Sequence, residues 1–219
     1  MVSSVKIEWF VFSEEEKNLL RESWKMINTE KKAIGCGIYE MIFMQCPEIR
    51  RLFPKLILKG GKIDKKATEF SFQALRFVQV IETAIFSLDG LHSVDNILDN
   101  LGRRHGKLEL NNKFRAYYWS TFLESSICII RKELTQLRNY NDEKVDQLVM
   151  LYRELLRGIV SKIKAGYNAD ITHRLNQMTI EDASNGDSNA RRYSVQTSAT
   201  AVSHNTIHVT LHLNLLQAI

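Results

Sequence analysis

Apolar side chains recur every three to four positions through the first 167 residues and alternate strictly only near the chain's end. The first pattern is that of helices with one buried face, the second that of a strand. Ser13 and Glu16 fit a capping box, and Leu19, Leu20, Trp24 and Ile27 follow at helical spacing, which predicts a first helix from about residue 14. Residues 30–45 continue helically despite Gly35 and Gly37, and Pro47 sits where proline is tolerated, in the first turn of a short new helix. Lys59 to Lys62 read as a loop around two glycines. Phe70, Ala74, Phe77, Val78, Ile81, Ile85 and Leu88 then mark a long helix that breaks at Asp89 and Gly90.

Ser93 is placed to cap the next helix, whose inner face carries Val94, Ile97, Leu98 and Leu101 and which reaches His105. Phe114, Tyr117, Tyr118, Phe122, Ile129 and Ile130 mark a further helix after the turn at Asn111 and Asn112. The last runs from Val145 to Ile163, with Asp142 as its cap. No segment before residue 167 has a strand period, so the fold class is all-α. With two prolines in 219 residues, long helices meet little obstruction, since an interior proline costs a helix about 3 kcal/mol.

The predicted organisation is an N-terminal extension over 1–12, one domain over 13–167 and a polar tail over 168–219. In the tail Asn, Ser, Thr and Asp replace large apolar groups, too little to offset the entropy of ordering, so 168–204 is expected to be disordered. Ile207, Val209, Leu211, Leu213 and Leu215 alternate like a half-buried strand with no partner in sight. That alternation argues against a helix, on which alone the spacing of His208 and His212 would suit a metal. Arg191, Arg192, Tyr193 and Ser194 resemble a basophilic kinase site.

The net charge is +5, with about +6 on residues 1–167, where Lys and Arg alternate with Asp and Glu, and −1 on the tail. Such a mild excess can attract an anionic ligand but lacks the dense basic stripe of a nucleic-acid binder. Three scattered cysteines, odd in number and without zinc spacing, argue for a reducing compartment, and the expected localisation is cytoplasmic. The first residues hold no secretory h-region, and no run approaches the roughly 20 apolar residues of a membrane span.

The spacing of several residues resembles that of the globin family over about residues 13–167. Ser13 and Trp24 stand eleven apart, as do the helix-opening residue and the first-helix tryptophan of myoglobins. Pro47 and Phe53 stand six apart, like the family's proline and haem-stacking phenylalanine. Counting fifteen on from Trp24 or eight back from Pro47 reaches Tyr39, at the second-helix position that looks toward the gas. Gly35 stands where globins let the second helix cross the distal helix, facing Ala74. The segments QALRFVQVIETAI (73–85) and LGRRHGKL (101–108) are similar to the distal and proximal helices of neuronal and nematode globins.

The resemblance implies a globin fold with a haem pocket between those two helices. It places haem b on His105 as the protein's iron ligand, with Phe53 stacked on the porphyrin, Leu101 beneath it, Arg76 at the mouth beside the propionates, and Arg104 as a second residue that could pair with them. Tyr39 and Gln73 face the gas. By its neighbours alone, Arg103, Arg104 and Lys107, His105 reads as a solvated histidine; the other five histidines lie in predicted loop or tail. By residue type alone Tyr39 reads as a core aromatic and Gln73 as a surface polar group. Phe77 departs from the family's usual smaller aliphatic residue over the iron and would narrow access.

The function implied is reversible binding of oxygen or another diatomic gas for storage, transport or sensing, with no enzymatic turnover. Oxygen carries partial negative charge on iron, and Tyr39 and Gln73 both offer donors. The alternative is a redox globin acting on nitric oxide, nitrite or peroxide, or in electron transfer. The sequence supplies no reductase domain, so that role would require an external reductant.

Overall fold

In the computed structural model the described residues are 8–53, 56, 68–109, 114–115 and 117–189, with side chains described to residue 179. They form helices α1 (Glu14–Ile27), α2 (Lys31–Gln45), α3 (Thr68–Phe86), α4 (Asp95–Glu109), α5 (Tyr118–Thr135) and α6 (Asp142–Asn189). Short 3-10 turns at Asn28–Glu30, Pro47–Leu52 and Leu91–Val94 join them, and no strand occurs among the described residues. Compactness divides the chain into a unit ending at His173 and a second from Arg174 onward. The expected loop at 59–62, the alternating run 207–215, the kinase-like Arg191–Ser194 and the H-x-x-x-H pair all lie outside the described residues.

Helix α1 begins as its capping box dictates: the Ser13 hydroxyl accepts from the Glu16 amide at 3.2 Å and the Glu16 carboxylate from the Ser13 amide at 2.8 Å. Its inner face buries Leu20, Trp24 and Ile27. Trp24 stands beside an ion pair of Lys31 with Glu82 at 2.8 Å, which Asn28 joins by a hydrogen bond of 3.0 Å. The start of α2 is thereby tied to α3.

Helix α2 packs across α3 and α5. The expected close approach of Gly35 to Ala74 is present: a methyl group at Gly35 would lie 2.6 Å from the Ala74 carbonyl oxygen. Backbone meets backbone there, and only glycine permits it. A second crossing of the same kind escaped the sequence reading. A methyl group at Gly102 of α4 would collide with the Ile163 carbonyl of α6, and one at Gly166 with the Asp99 carbonyl of α4. This contact seats the helix that carries His105 directly on α6.

Several boundaries differ from the sequence expectation. Asn141, not Asp142, caps α6: its side-chain oxygen accepts from the Lys144 amide at 2.9 Å. Ser93 caps nothing, because a 3-10 turn over Leu91–Val94 precedes α4, and Ile97 points away from the core at 56% exposed. His92 lies in that 3-10 turn, and His173, in the expected tail, is helical as part of α6. Helix α6 runs on through the expected disordered segment to Asn189. A helix once nucleated extends at little cost, and the segment contains no proline to stop it.

The residues before α1 belong to the core. Trp9 and Phe12 are buried, and the Trp9 ring lies where a side chain at Gly158 would be, 2.5 Å from a methyl placed there. Its indole N–H donates to Asp95 at 2.8 Å, and Lys162 meets the same carboxylate at 2.8 Å. The N-terminal segment thus joins the first turn of α4 to α6.

Candidate functional site

Of the expected site residues, Tyr39, Phe53 and Phe77 fall into one aromatic cluster and His105, with Leu101, into a second, while Gln73 and Arg76 lie at the surface outside both. The first surrounds Tyr39 of α2. Its ring centre lies 5.6 Å from Phe53, 5.9 Å from Phe43, 6.4 Å from Phe70 and 6.5 Å from Phe77, mostly edge-on. Phe77 lies edge-on to Phe122 of α5 at 4.2 Å, so four segments of chain converge. These edge-to-face pairs are the arrangement aromatic quadrupoles favour. The sequence reading named Tyr39, Phe53 and Phe77 but missed Phe43, Phe70 and Phe122. Phe43 lies one turn beyond Tyr39 and Phe70 two turns before Phe77, so helical spacing carried a signal for both.

Burial pushes the Tyr39 phenol up to about 12, with Arg76 pulling weakly the other way. The hydroxyl stays protonated at neutral pH and has no hydrogen-bond partner among the described residues. It is a donor held in an otherwise phenylalanine-lined cluster. Gln73 is half-buried, with its amide N–H donating to Glu69 at 3.3 Å one turn back, and this bond lies at the surface. Arg76 is exposed, its guanidinium 5.2 Å above the Phe72 ring.

The second cluster surrounds His105 on α4. Its ring centre lies 5.3 Å from Trp119 and 5.4 Å from Phe114, and those two rings are 4.8 Å apart. Tyr167 of α6 closes the group, 5.6 Å from Phe114 and 6.0 Å from Trp119. Sequence reading assigned none of these three to the site, because nothing in their local pattern separates a ring beside a functional histidine from an ordinary core aromatic.

His105 Nδ1 lies 2.8 Å from the Leu101 carbonyl oxygen, one helical turn back. A carbonyl only accepts, so Nδ1 carries the proton and the Nε2 lone pair is left for another partner. Burial lowers the pKa of the ring, against the smaller opposing effect of that bond, and keeps the imidazole neutral. The reading of His105 as a solvated histidine in a basic turn does not fit this environment. Leu101, Phe53, Tyr39 and Phe122 are only partly buried although packed against the core, so apolar surface at both clusters remains accessible.

The sequence matches the family model for Globin over residues 37–158. It is 29% identical over 124 residues to neuroglobin of Dissostichus mawsoni, covering 56% of this chain and 78% of that one. It is 25% identical over 156 residues to the globin-related protein glb-13 of Caenorhabditis elegans, 71% of this chain and 52% of the relative. The fold is similar to a hexacoordinated haem protein from an anhydrobiotic tardigrade, with TM-score 0.61, 20% identity and coverage of 73% and 97% of the two chains. It also matches the neuroglobin of the acoel Symsagittifera roscoffensis, with TM-score 0.58, 16% identity and coverage of 70% and 97%. With the family model matching more than half of the chain, from within α2 into the first part of α6, the chain belongs to the globin family.

Proposed function

We propose that this globin binds haem b through His105 and uses Tyr39 to hold a diatomic gas, oxygen first among them, on the opposite side. Globin family proteins bind haem. The residues here fit such a group: one neutral imidazole with a free Nε2, accessible apolar side chains at Leu101, Phe53 and Phe122, and a protonated phenol in a second cluster. The observation that carries the reading is the His105 hydrogen bond, because a fixed tautomer with its second nitrogen free is what a metal-ligating histidine requires.

Haem, when bound, would supply an iron able to take a gas as ligand. The chain does the rest. The Leu101 carbonyl holds the proton on Nδ1 and aims Nε2, while Phe114 and Trp119 fix the plane of the ring. Tyr39 offers its O–H to a partly negative ligand atom, and Gln73 adds an amide N–H once it leaves Glu69. Phe53 and Leu101 would hold the macrocycle by apolar contact, and Phe77, packed on Tyr39 and Phe122, would limit the space left to a ligand. Arg76, exposed over the Phe72 ring, would be the residue to pair with a propionate, and its exposure would limit the worth of that pair to under about 1 kcal/mol.

A redox role is the second reading, favoured by Phe77, which is 9% exposed and packed against Phe122 and Tyr39. A crowded distal side slows a carrier more than an electron-transfer protein, and an external reductant would supply the electrons. No described helix is long and apolar enough to cross a membrane, and all three cysteines are free, which supports a cytoplasmic, reducing location within this reading. The test is the absorbance spectrum of the purified protein, oxidised, reduced and under carbon monoxide. One haem per chain is expected, and His105→Ala should abolish the intense Soret band or make it depend on added imidazole. An unchanged spectrum in His105→Ala removes the assignment.

A further inference from the structure

The rings beside His105 continue to the surface. From Trp119, 5.3 Å away, the path runs to Phe114 at 4.8 Å, to Tyr118 at 5.4 Å and to Tyr117 at 4.7 Å. Trp119 and Tyr118 are neighbours along the chain at the start of α5, and Phe114 lies between their rings. Trp119 is buried, at 6% exposed, and its indole N–H has no acceptor among the described residues. Tyr117 is 49% exposed, and its hydroxyl donates to the Glu48 carboxylate in the Pro47–Leu52 turn.

Tryptophan and tyrosine are the side chains that surrender one electron most readily. Three of them in sequence, one against the histidine and one in water, differ from the cluster around Tyr39, where every partner ring described is phenylalanine. Removing an electron from a phenol makes it a far stronger acid than a carboxylic acid. The Glu48 carboxylate already accepts the hydrogen bond along which that proton would move, and the bond holds Glu48 below the ordinary carboxylate range.

We propose that Trp119, Tyr118 and Tyr117 form a one-electron conduit between the His105 side of the haem site and solvent, ending in oxidation of Tyr117 with Glu48 as proton acceptor. The proposal rests on haem binding by His105 but goes beyond gas binding. The oxidant is hydrogen peroxide. Its reduction to two waters takes two electrons and two protons, one electron for each passage along the chain. In each passage Tyr117 loses an electron inward and its O–H proton to Glu48, leaving a neutral tyrosyl radical. An external donor of the phenol or ascorbate class returns a hydrogen atom to the radical. Glu48 releases its proton to solvent, which supplies the protons that the peroxide oxygens take up. Two donor molecules are oxidised for each peroxide reduced.

The experiment uses the full chain loaded with haem, its content fixed by the Soret band, and treated with hydrogen peroxide and a nitroso spin trap without reductant. Proteolysis and mass spectrometry then locate the adduct, and electron paramagnetic resonance reports the radical type. The expected result is a tyrosyl signal and an adduct on Tyr117, lost in Tyr117→Phe and largely lost in Trp119→Phe at equal haem content. Glu48→Gln, a surface change, should slow radical formation and make its rate depend on the concentration of buffer base. Wild-type labelling of Tyr117 in Trp119→Phe, or equal labelling of Tyr140, which lies off the path, overturns the conduit. If Trp119→Phe fails to hold haem, Glu48→Gln decides alone, and a rate without buffer dependence overturns the proposal. Haem uptake with no adduct on Tyr117 refutes the conduit and leaves the haem assignment standing; no haem uptake refutes both.

Discussion

At Tyr39 the decisive quantity is the state of a proton. Burial raises its pKa to about 12, so the phenol donates at any physiological pH. Oxygen draws negative charge from iron and carbon monoxide draws much less, so a donor there slows release of the first far more than of the second. Tyr39→Phe should therefore speed oxygen dissociation by about 10 to 100 fold, the rate equivalent of ~1.5 to 3 kcal/mol. Carbon monoxide release should barely change, which separates a lost hydrogen bond from a widened pocket. Gln73→Leu should act in the same direction and more weakly, because its amide is already engaged by Glu69. Stopped-flow release from the ferrous proteins reads all of this; wild-type oxygen release in Tyr39→Phe would make Tyr39 a core aromatic and nothing more.

Legibility at this scale depended on the kind of residue. The positions proposed for His105, Tyr39 and Phe53 came from distances along the chain, which survive folding because each lies on or at the end of a helical element. Trp119 and Phe114 did not, since α5 and the residues just before it meet His105 only through tertiary packing. The protonation states were not legible either: desolvation sets them, and desolvation depends on what surrounds the ring rather than on what precedes it.

Among the elements, helix crossings make the sharpest demands. Gly35→Ala adds a methyl 2.6 Å from a backbone oxygen that cannot swing away, so the gain in helix propensity should be outweighed by about 1 to 3 kcal/mol of overpacking. Gly37→Ala meets only the flexible end of Ile129 at 3.4 Å and should be neutral or gain up to about 1 kcal/mol. Urea denaturation of the two variants gives the comparison, and equal stability would mean that α2 and α3 can move apart freely. The sequence showed the first crossing because both small residues stood at positions where the family has them. It hid the Gly102–Gly166 crossing because the two glycines are far apart in the chain and each alone looks like an ordinary helix weakness.

The segment before α1 makes a second prediction at this level. Trp9→Ala removes a buried indole that fills the space over Gly158, and should cost about 3 to 5 kcal/mol. Asp95 receives Trp9, Lys162 and His92 together. Burial alone would raise its pKa, but these partners outweigh it, and the net shift is downward. A carboxylate lowered in the folded state contributes stability above its unfolded pKa and loses it as the pH falls through the folded value. Thermal midpoints should therefore drop below about pH 4, with a shallower acid limb in Asp95→Asn. An identical acid limb in that variant would show that the carboxylate's charge is not part of the clasp.

For the whole molecule, the place where the globin ends can be set by truncation. The compact first unit reaches His173, Ile171 packs against its core, and a methyl group at Gly106 would lie 2.7 Å from the Asp170 carboxylate. Ending the chain after His173 should leave haem retention and the thermal midpoint nearly unchanged. Ending it after Tyr167 should lower the midpoint by several degrees through the lost Ile171 contact, on the order of 1 kcal/mol. Equal midpoints for the two truncations would return the boundary to residue 167, where composition alone first placed it.

By itself the sequence determined the all-helical class, the first five helices to within a few residues, the start of the sixth, and the distances among Trp24, Tyr39, Pro47, Phe53 and His105. All of these follow from periodicity, caps and spacing, which are local properties of a chain. Tertiary structure alone decided that Trp9 belongs to the core, that α4 lies on α6 through two glycines, and that His105 is buried, neutral and flanked by Trp119 and Phe114. Those facts concern residues far apart in sequence, and their physical origin, close packing and the exclusion of water, exists only once the helices have met.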